Sequence, residues 1–233
     1  MKLKWLGHSA FELIRNDGLN ILVDPFIQGN PSCPISINEL NPDIICITHA
    51  HGDHFGDAIE IARNTNALVI SNYEISQYLQ KRGIRSLGIN YGSEISTDHM
   101  SIRMLDARHT SSYDFEGDIK YAGNPGSFLF DFKNDIKIFH AGDTGLFSDL
   151  KFVVGEIYKP DIALLPIGNL FTMDPKEASI AAKWINPKIV IPMHYNTFPS
   201  IKQDGNYFMQ LVKNENPNCK TLILKPLETY ETK

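Results

Sequence analysis

The segment Thr48-His49-Ala50-His51-Gly52-Asp53-His54 packs three imidazoles and a carboxylate into six residues, directly behind the apolar run Ile44-Ile45-Cys46-Ile47. That run reads as a buried strand over Ile44–Thr48, so the polar loop begins where the strand leaves the core. His49 and His51 are two residues apart and point the same way in extended backbone. Gly52 permits a sharp turn that brings Asp53 and His54 round at the start of a helix over Phe55–Asn64. Crowding so many titratable groups together costs desolvation that a bound cation offsets. Imidazole and carboxylate are the donors expected for zinc, and manganese or iron suits them too.

A pair of ions needs more donors than one loop supplies, and three other positions match. His109 follows an apolar strand at Ser101–Leu105, Asp143 follows Ile136–Phe139, and His194 follows Lys188–Pro192. Each sits just past the end of its strand, as His49 does, so strands ending along one edge would let these side chains converge. His99 precedes its strand and is expected on the surface at the opposite edge. His140, three residues before Asp143, is expected in the core or supporting a ligand. His8 follows the first strand, as a proton donor or substrate contact in the pocket or as a satisfied buried histidine. Asp24 ends a strand, where it either orients a ligating imidazole or shapes a turn before Pro25.

Short apolar runs at Lys2–Leu6, Ala10–Ile14 and Asn20–Val23 read as strands, with a hairpin turn at Asn16-Asp17-Gly18. Further strands are expected at Ala67–Ile70, Ser127–Phe132, Ile162–Leu165 and Thr221–Leu224. Helices are expected at Glu74–Lys81, Asp149–Tyr158 and Gly205–Lys213. Another runs from Asp174 to Trp184, with Asp174 as its cap and Pro175 in its first turn. Strands with helices outside them fit a layered α/β architecture, two sheets packed together with helices on both outer faces, in one domain over 1–233. Loops at Gln28–Ile35, Ser111–Asn124 and Asn169–Met173 are the expected pocket walls. Phe26, Phe171 and Tyr195 are candidates for an apolar lining.

Net charge is −5 with 22 basic and 27 acidic residues, so the chain lacks the basic excess of a nucleic-acid binder. Cys33, Cys46 and Cys219 are odd in number, far apart and outside any Cys-x-x-Cys pair, which argues against disulfides and a thiolate metal site. Cys46 reads as a buried core thiol. No signal peptide or membrane-length apolar run is evident, and a reducing cytoplasm is expected. The sequence contains neither a Gly-Lys-Ser/Thr phosphate loop nor a Gly-x-Ser-x-Gly elbow, so nucleotide cofactors and a serine triad are disfavoured. Homo-oligomerisation stays open.

The His-x-His-x-Asp-His loop, the later His109, Gly142-Asp143-Thr144 and the final His194 resemble the metallo-β-lactamase superfamily in order and over nearly the whole chain. Gly7-His8-Ser9, Asp24-Pro25-Phe26, His109-Thr110-Ser111-Ser112, Phe171-Thr172-Met173 and Met193-His194-Tyr195 resemble one branch, metal-dependent hydrolases related to ascorbate-6-phosphate lactonase. Pro166-Ile167-Gly168-Asn169 departs from that branch, whose members carry Asp at the position of Asn169. The resemblance implies the four-layer αββα sandwich. It implies His49, His51 and His109 on a first metal, Asp53, His54 and His194 on a second, and Asp143 bridging. A hydroxide held between two divalent ions would then attack an ester, lactone or phosphodiester of a small anionic substrate, with Asp53 taking the released proton. A nuclease, an iron redox protein on the same fold and a non-catalytic metal-binding module are the competing readings. Redox relatives resemble a loop with Glu at the position of His51 and carry an added flavin domain, and this chain has neither.

Overall fold

The computed structural model describes residues 1–115, 117–133 and 135–232. The chain forms two compact units, one comprising Met1–Asn90, Thr110–Pro125 and Leu224–Lys233, the other Tyr91–His109 and Gly126–Ile223. Strands are numbered along the chain.

In the first unit, β1 (Lys2–Gly7), β2 (Ala10–Ile14), β3 (Asn20–Val23), β4 (Ile44–Cys46), β5 (Leu68–Asn72) and β6 (Ser86–Ile89) lie side by side in that order, and β16 (Thr229–Glu231) pairs outside β1. β1, β2 and β3 form an antiparallel meander, and β3 to β6 run parallel. β1, β3, β4 and β5 therefore all end at one edge of the sheet. The meander turns at Gly18, whose φ of +97° suits glycine and whose N–H donates to the Arg15 carbonyl at 3.0 Å. Helices Ala58–Thr65 and Tyr73–Gln80 belong to this unit, the second started by Asn72, whose side chain accepts the Ile75 N–H at 2.8 Å. Leu6, Leu22, Ile45, Val69, Ile75 and Leu79 form its core. Each such side chain contributes about 1.5–3 kcal/mol by leaving water.

The second unit repeats the mixed plan. β7 (Glu94–Ser96), β8 (Met100–Asp106), β11 (Gly126–Phe132), β12 (Ile136–His140), β13 (Ile162–Pro166), β14 (Ile189–Met193) and β15 (Lys220–Thr221) follow one another across the sheet. β7, β8, β11 and β12 alternate in direction, and β12 to β15 are parallel. β8, β12, β13 and β14 thus share one direction and end at the same edge. β13 is buried at every position, as its unbroken apolar sequence requires. Helices Pro175–Ile185 and Gly205–Glu215 accompany this sheet, and Asp174 caps the first by accepting the Glu177 N–H at 2.8 Å. Segment Leu150–Tyr158 is wound as a π-helix, not the ordinary helix its apolar spacing suggests.

Several expectations change. The helix expected over Phe55–Asn64 is two pieces, Gly52–Phe55 and Ala58–Thr65. The break is Gly56, at φ +44°, where a Cβ would stand 2.3 Å from the Pro25 carbonyl oxygen. Gly56→Ala is therefore expected to destabilise the protein by about 3 kcal/mol or more, combining backbone strain with overpacking. That corresponds to a fall of about 6–12 °C in the melting temperature of metal-free protein, and an unchanged melt would contradict the packing described. The expected loop Ser111–Asn124 contains a hairpin, β9 (Ser112–Phe115) with β10 (Asp118–Tyr121). β10 is exposed along its whole length, so no buried run announces it. The expected strand Thr221–Leu224 shrinks to Lys220–Thr221, and β6, β7 and β16 are additional short strands. Cys33, Cys46 and Cys219 are free thiols, and burial with Asp24 nearby pushes the Cys46 thiol well up. Among the described residues, no helix is long and apolar enough to cross a membrane.

Candidate metal centre

In the first unit, His8 follows β1, Asp24 follows β3 and the His49–His54 loop follows β4, all at one sheet edge. Asp24 is wholly buried at φ +46°. One of its oxygens accepts the Thr48 N–H at 2.8 Å. The other accepts the Thr48 hydroxyl at 2.7 Å and stands 2.8 Å from His54 Nδ1. Of the two readings of Asp24, this is the one in which it orients an imidazole. With Nδ1 held by the carboxylate, His54 presents Nε2 as its donor. His49 is fixed similarly, its Nδ1 lying 3.0 Å from the Thr48 hydroxyl. Its Nε2 lies 3.0 Å from His51 Nδ1. Two donors on one tetrahedral ion, each bonded at about 2.0–2.1 Å, stand about 3.3 Å apart, so this pair is spaced nearly as shared ligands are. The His49 and His54 rings also pack with centroids 4.1 Å apart.

His8 is fully buried, with Nε2 3.1 Å from Asp53 Oδ2. The edge of its ring meets half-buried Phe26 at a centroid distance of 5.8 Å. The hairpin is tied to the loop through the Ser111 hydroxyl, which accepts the Ala50 N–H at 3.2 Å.

In the second unit, His109, Asp143 and His194 lie just past the ends of β8, β12 and β14. The structure brings all three together. Asp143 Oδ2 lies 3.0 Å from His194 Nε2 and 3.6 Å from His109 Nε2. One carboxylate oxygen thus faces two imidazole donors. His194 occupies a left-handed conformation, φ +53°, with Gly168 behind it. A Cβ on Gly168 would stand 2.3 Å from the His194 carbonyl oxygen, so only glycine lets the end of β13 approach so closely. Thr144 braces the same edge, accepting the Arg108 N–H at 3.0 Å and donating to the Gly145 carbonyl at 2.8 Å. Asn169, where the sequence departs from the resembling branch, adopts φ +61°.

His140 is wholly buried, and its Nδ1 accepts the Gly142 N–H at 3.1 Å, one step from Asp143. His99 is exposed and lies outside both clusters. Tyr195 is buried, and burial raises its phenol above the usual range. Phe171 is 57% exposed, so it is no core residue. Sequence reasoning passed over Thr48, Ser111 and Thr144. The one available signal was their place one or two residues from His49, His109 and Asp143, since hydroxyls close to ligands often hold ligands in place.

The donor set is imidazole nitrogen and carboxylate oxygen without thiolate, which fits a divalent zinc, manganese or iron ion. A family model described as a beta-lactamase superfamily domain matches residues 2–194. The chain belongs to the metallo-β-lactamase superfamily. Its superfamily relatives include a metal-dependent hydrolase of Methanobrevibacter smithii, 52% identical over 99% of this chain and 97% of that protein. Another, from Methanosphaera stadtmanae, is 48% identical over 99% of each. Among solved structures, a metallo hydrolase from Ignicoccus hospitalis superposes with a TM-score of 0.88 at 39% identity, covering 100% of this chain and 99% of that one. With relatives this similar over nearly their whole length named metal-dependent hydrolases, the chain is a metal-dependent hydrolase.

Proposed function

We propose that the chain holds a pair of divalent ions, zinc in the first instance. In this reading His49, His51 and His109 would hold one ion, Asp53, His54 and His194 would hold the other, and Asp143 would serve both. The observation that carries it is the placement of Asp143 Oδ2 against both His109 and His194, one imidazole from each ion's set. Such a pair of ions, when bound, supplies a water nucleophile ionised near neutral pH and polarises the oxygen of the bond under attack.

The protein's own groups do the rest. Asp24 and Thr48 hold His54 and His49 in single orientations, so the donors need no rearrangement when substrate arrives. Asp53, half-buried at the tip of the loop, takes up the proton that the nucleophile releases. Five imidazoles contribute no charge, and two carboxylates only partly offset two divalent ions. The centre therefore favours an anionic or carbonyl-bearing group, and an ester, lactone or phosphodiester of a small molecule meets that requirement. Net charge of −5 argues for a small substrate over nucleic acid. Three free thiols suit a reducing cytoplasm.

The test is a hydrolytic screen of lactones, thioesters and phosphodiesters with metal removed by chelation and then restored. Activity is expected to vanish on chelation and return with about two equivalents of zinc, manganese or iron. Hydrolysis that survives complete metal removal would end this reading.

A further inference from the structure

We infer that His8 is a third protein ligand to the second ion from within the first unit, so that His8, Asp53 and His54 form a self-sufficient site for that ion. This rests on the metal-pair reading above and goes beyond it, because the ligand set of that reading leaves His8 out.

The donor atoms of His8, Asp53 and His54 lie within 4.8 Å of one another and come from two separated segments of chain. His8 Nε2 and Asp53 Oδ2 stand 3.1 Å apart, close to the roughly 3.3 Å expected of two donors on one tetrahedral ion. His54 turns Nε2 to the same place because Asp24 occupies its Nδ1.

His8 is also aimed at a cost. It holds φ +53°, a conformation that costs a non-glycine residue about 1–2 kcal/mol. Its neighbour Gly7 sits at φ +100°. The Trp5 indole N–H donates to the His8 carbonyl at 2.9 Å and pins the turn. A histidine serving only as core filler needs no left-handed backbone and no carboxylate at its far nitrogen. Two imidazoles and one carboxylate on one side of an ion leave its other positions for further donors, water and substrate.

Cobalt(II) loading of the full-length protein tests this. Each imidazole bound to a paramagnetic ion gives one strongly shifted exchangeable N–H resonance. The five histidines of the proposed pair, His49, His51, His54, His109 and His194, supply five; His8 as a ligand makes six in the wild-type protein. His8→Gln is expected to remove one resonance and to raise the dissociation constant of one ion, by calorimetric titration, at least about tenfold. The other ion should bind unchanged. Five resonances in wild-type protein with two cobalt ions bound would overturn this inference alone and leave His8 as a hydrogen-bond partner of Asp53. Wild-type protein that binds no cobalt would overturn the metal-pair reading as well.

Discussion

Asp143→Ala is expected to lower bound metal from about two equivalents to one and to cut kcat/KM about a thousandfold or more. The scale is that of a group acting directly on the reacting centre. The reason lies in one oxygen. Asp143 Oδ2 faces His194 at 3.0 Å and His109 at 3.6 Å, so removing it leaves two nearby imidazoles with no anion to balance a shared pair of cations. On the proposed ligand sets, the ion that would depend on His109 should be lost, and the ion that would be held by His8, Asp53 and His54 should stay. Elemental analysis after gel filtration reads the first effect, and steady-state kinetics on any substrate from the hydrolytic screen reads the second. Full metal occupancy with wild-type turnover in Asp143→Ala would refute the bridge.

Asp24→Ala is expected to be the most destabilising change near the site although Asp24 is no ligand. Its carboxylate receives the Thr48 N–H, the Thr48 hydroxyl and His54 Nδ1, all in wholly buried surroundings. Removal strands these donors away from water and frees the His54 ring to rotate. About 3–5 kcal/mol of stability should disappear, a fall of about 6–20 °C in the melt of metal-free protein. Affinity for one ion should fall about 10–100-fold. Asp24→Asn keeps an acceptor and tolerates φ +46°, so it should recover part of the stability and less of the affinity. Wild-type melting and metal affinity in Asp24→Ala would show that Asp24 only shapes a turn.

The ligand-bearing strands β4, β12 and β14 are legible from sequence because β4 and β14 are continuous apolar runs and β12 is interrupted only by Lys137, and each run stops close to a histidine or aspartate. What escapes is whatever depends on residues distant in the chain. The helix break at Gly56 exists because the Pro25 carbonyl, thirty-one positions earlier, occupies the space of a Cβ. The hairpin β9–β10 escapes because Ser112–Asp114 and the whole of β10 contain no buried residue. The role of Asp24 stays ambiguous in sequence, since a carboxylate before proline suits a turn as well as an imidazole; its three buried contacts become visible only in the fold. The left-handed backbone at His8, Asp24 and His194 has no signature in these residue types. Such strain marks places where the fold holds a side chain against its own preference.

The central claim is that these seven side chains hold a pair of ions. An anomalous-difference map, collected at the absorption edge of the metal on crystals of gently purified protein, tests it most directly. Two peaks are expected, one bonded to His49, His51 and His109, the other to Asp53, His54 and His194, with Asp143 touching both. A single peak, or peaks bonded to other side chains, would contradict it.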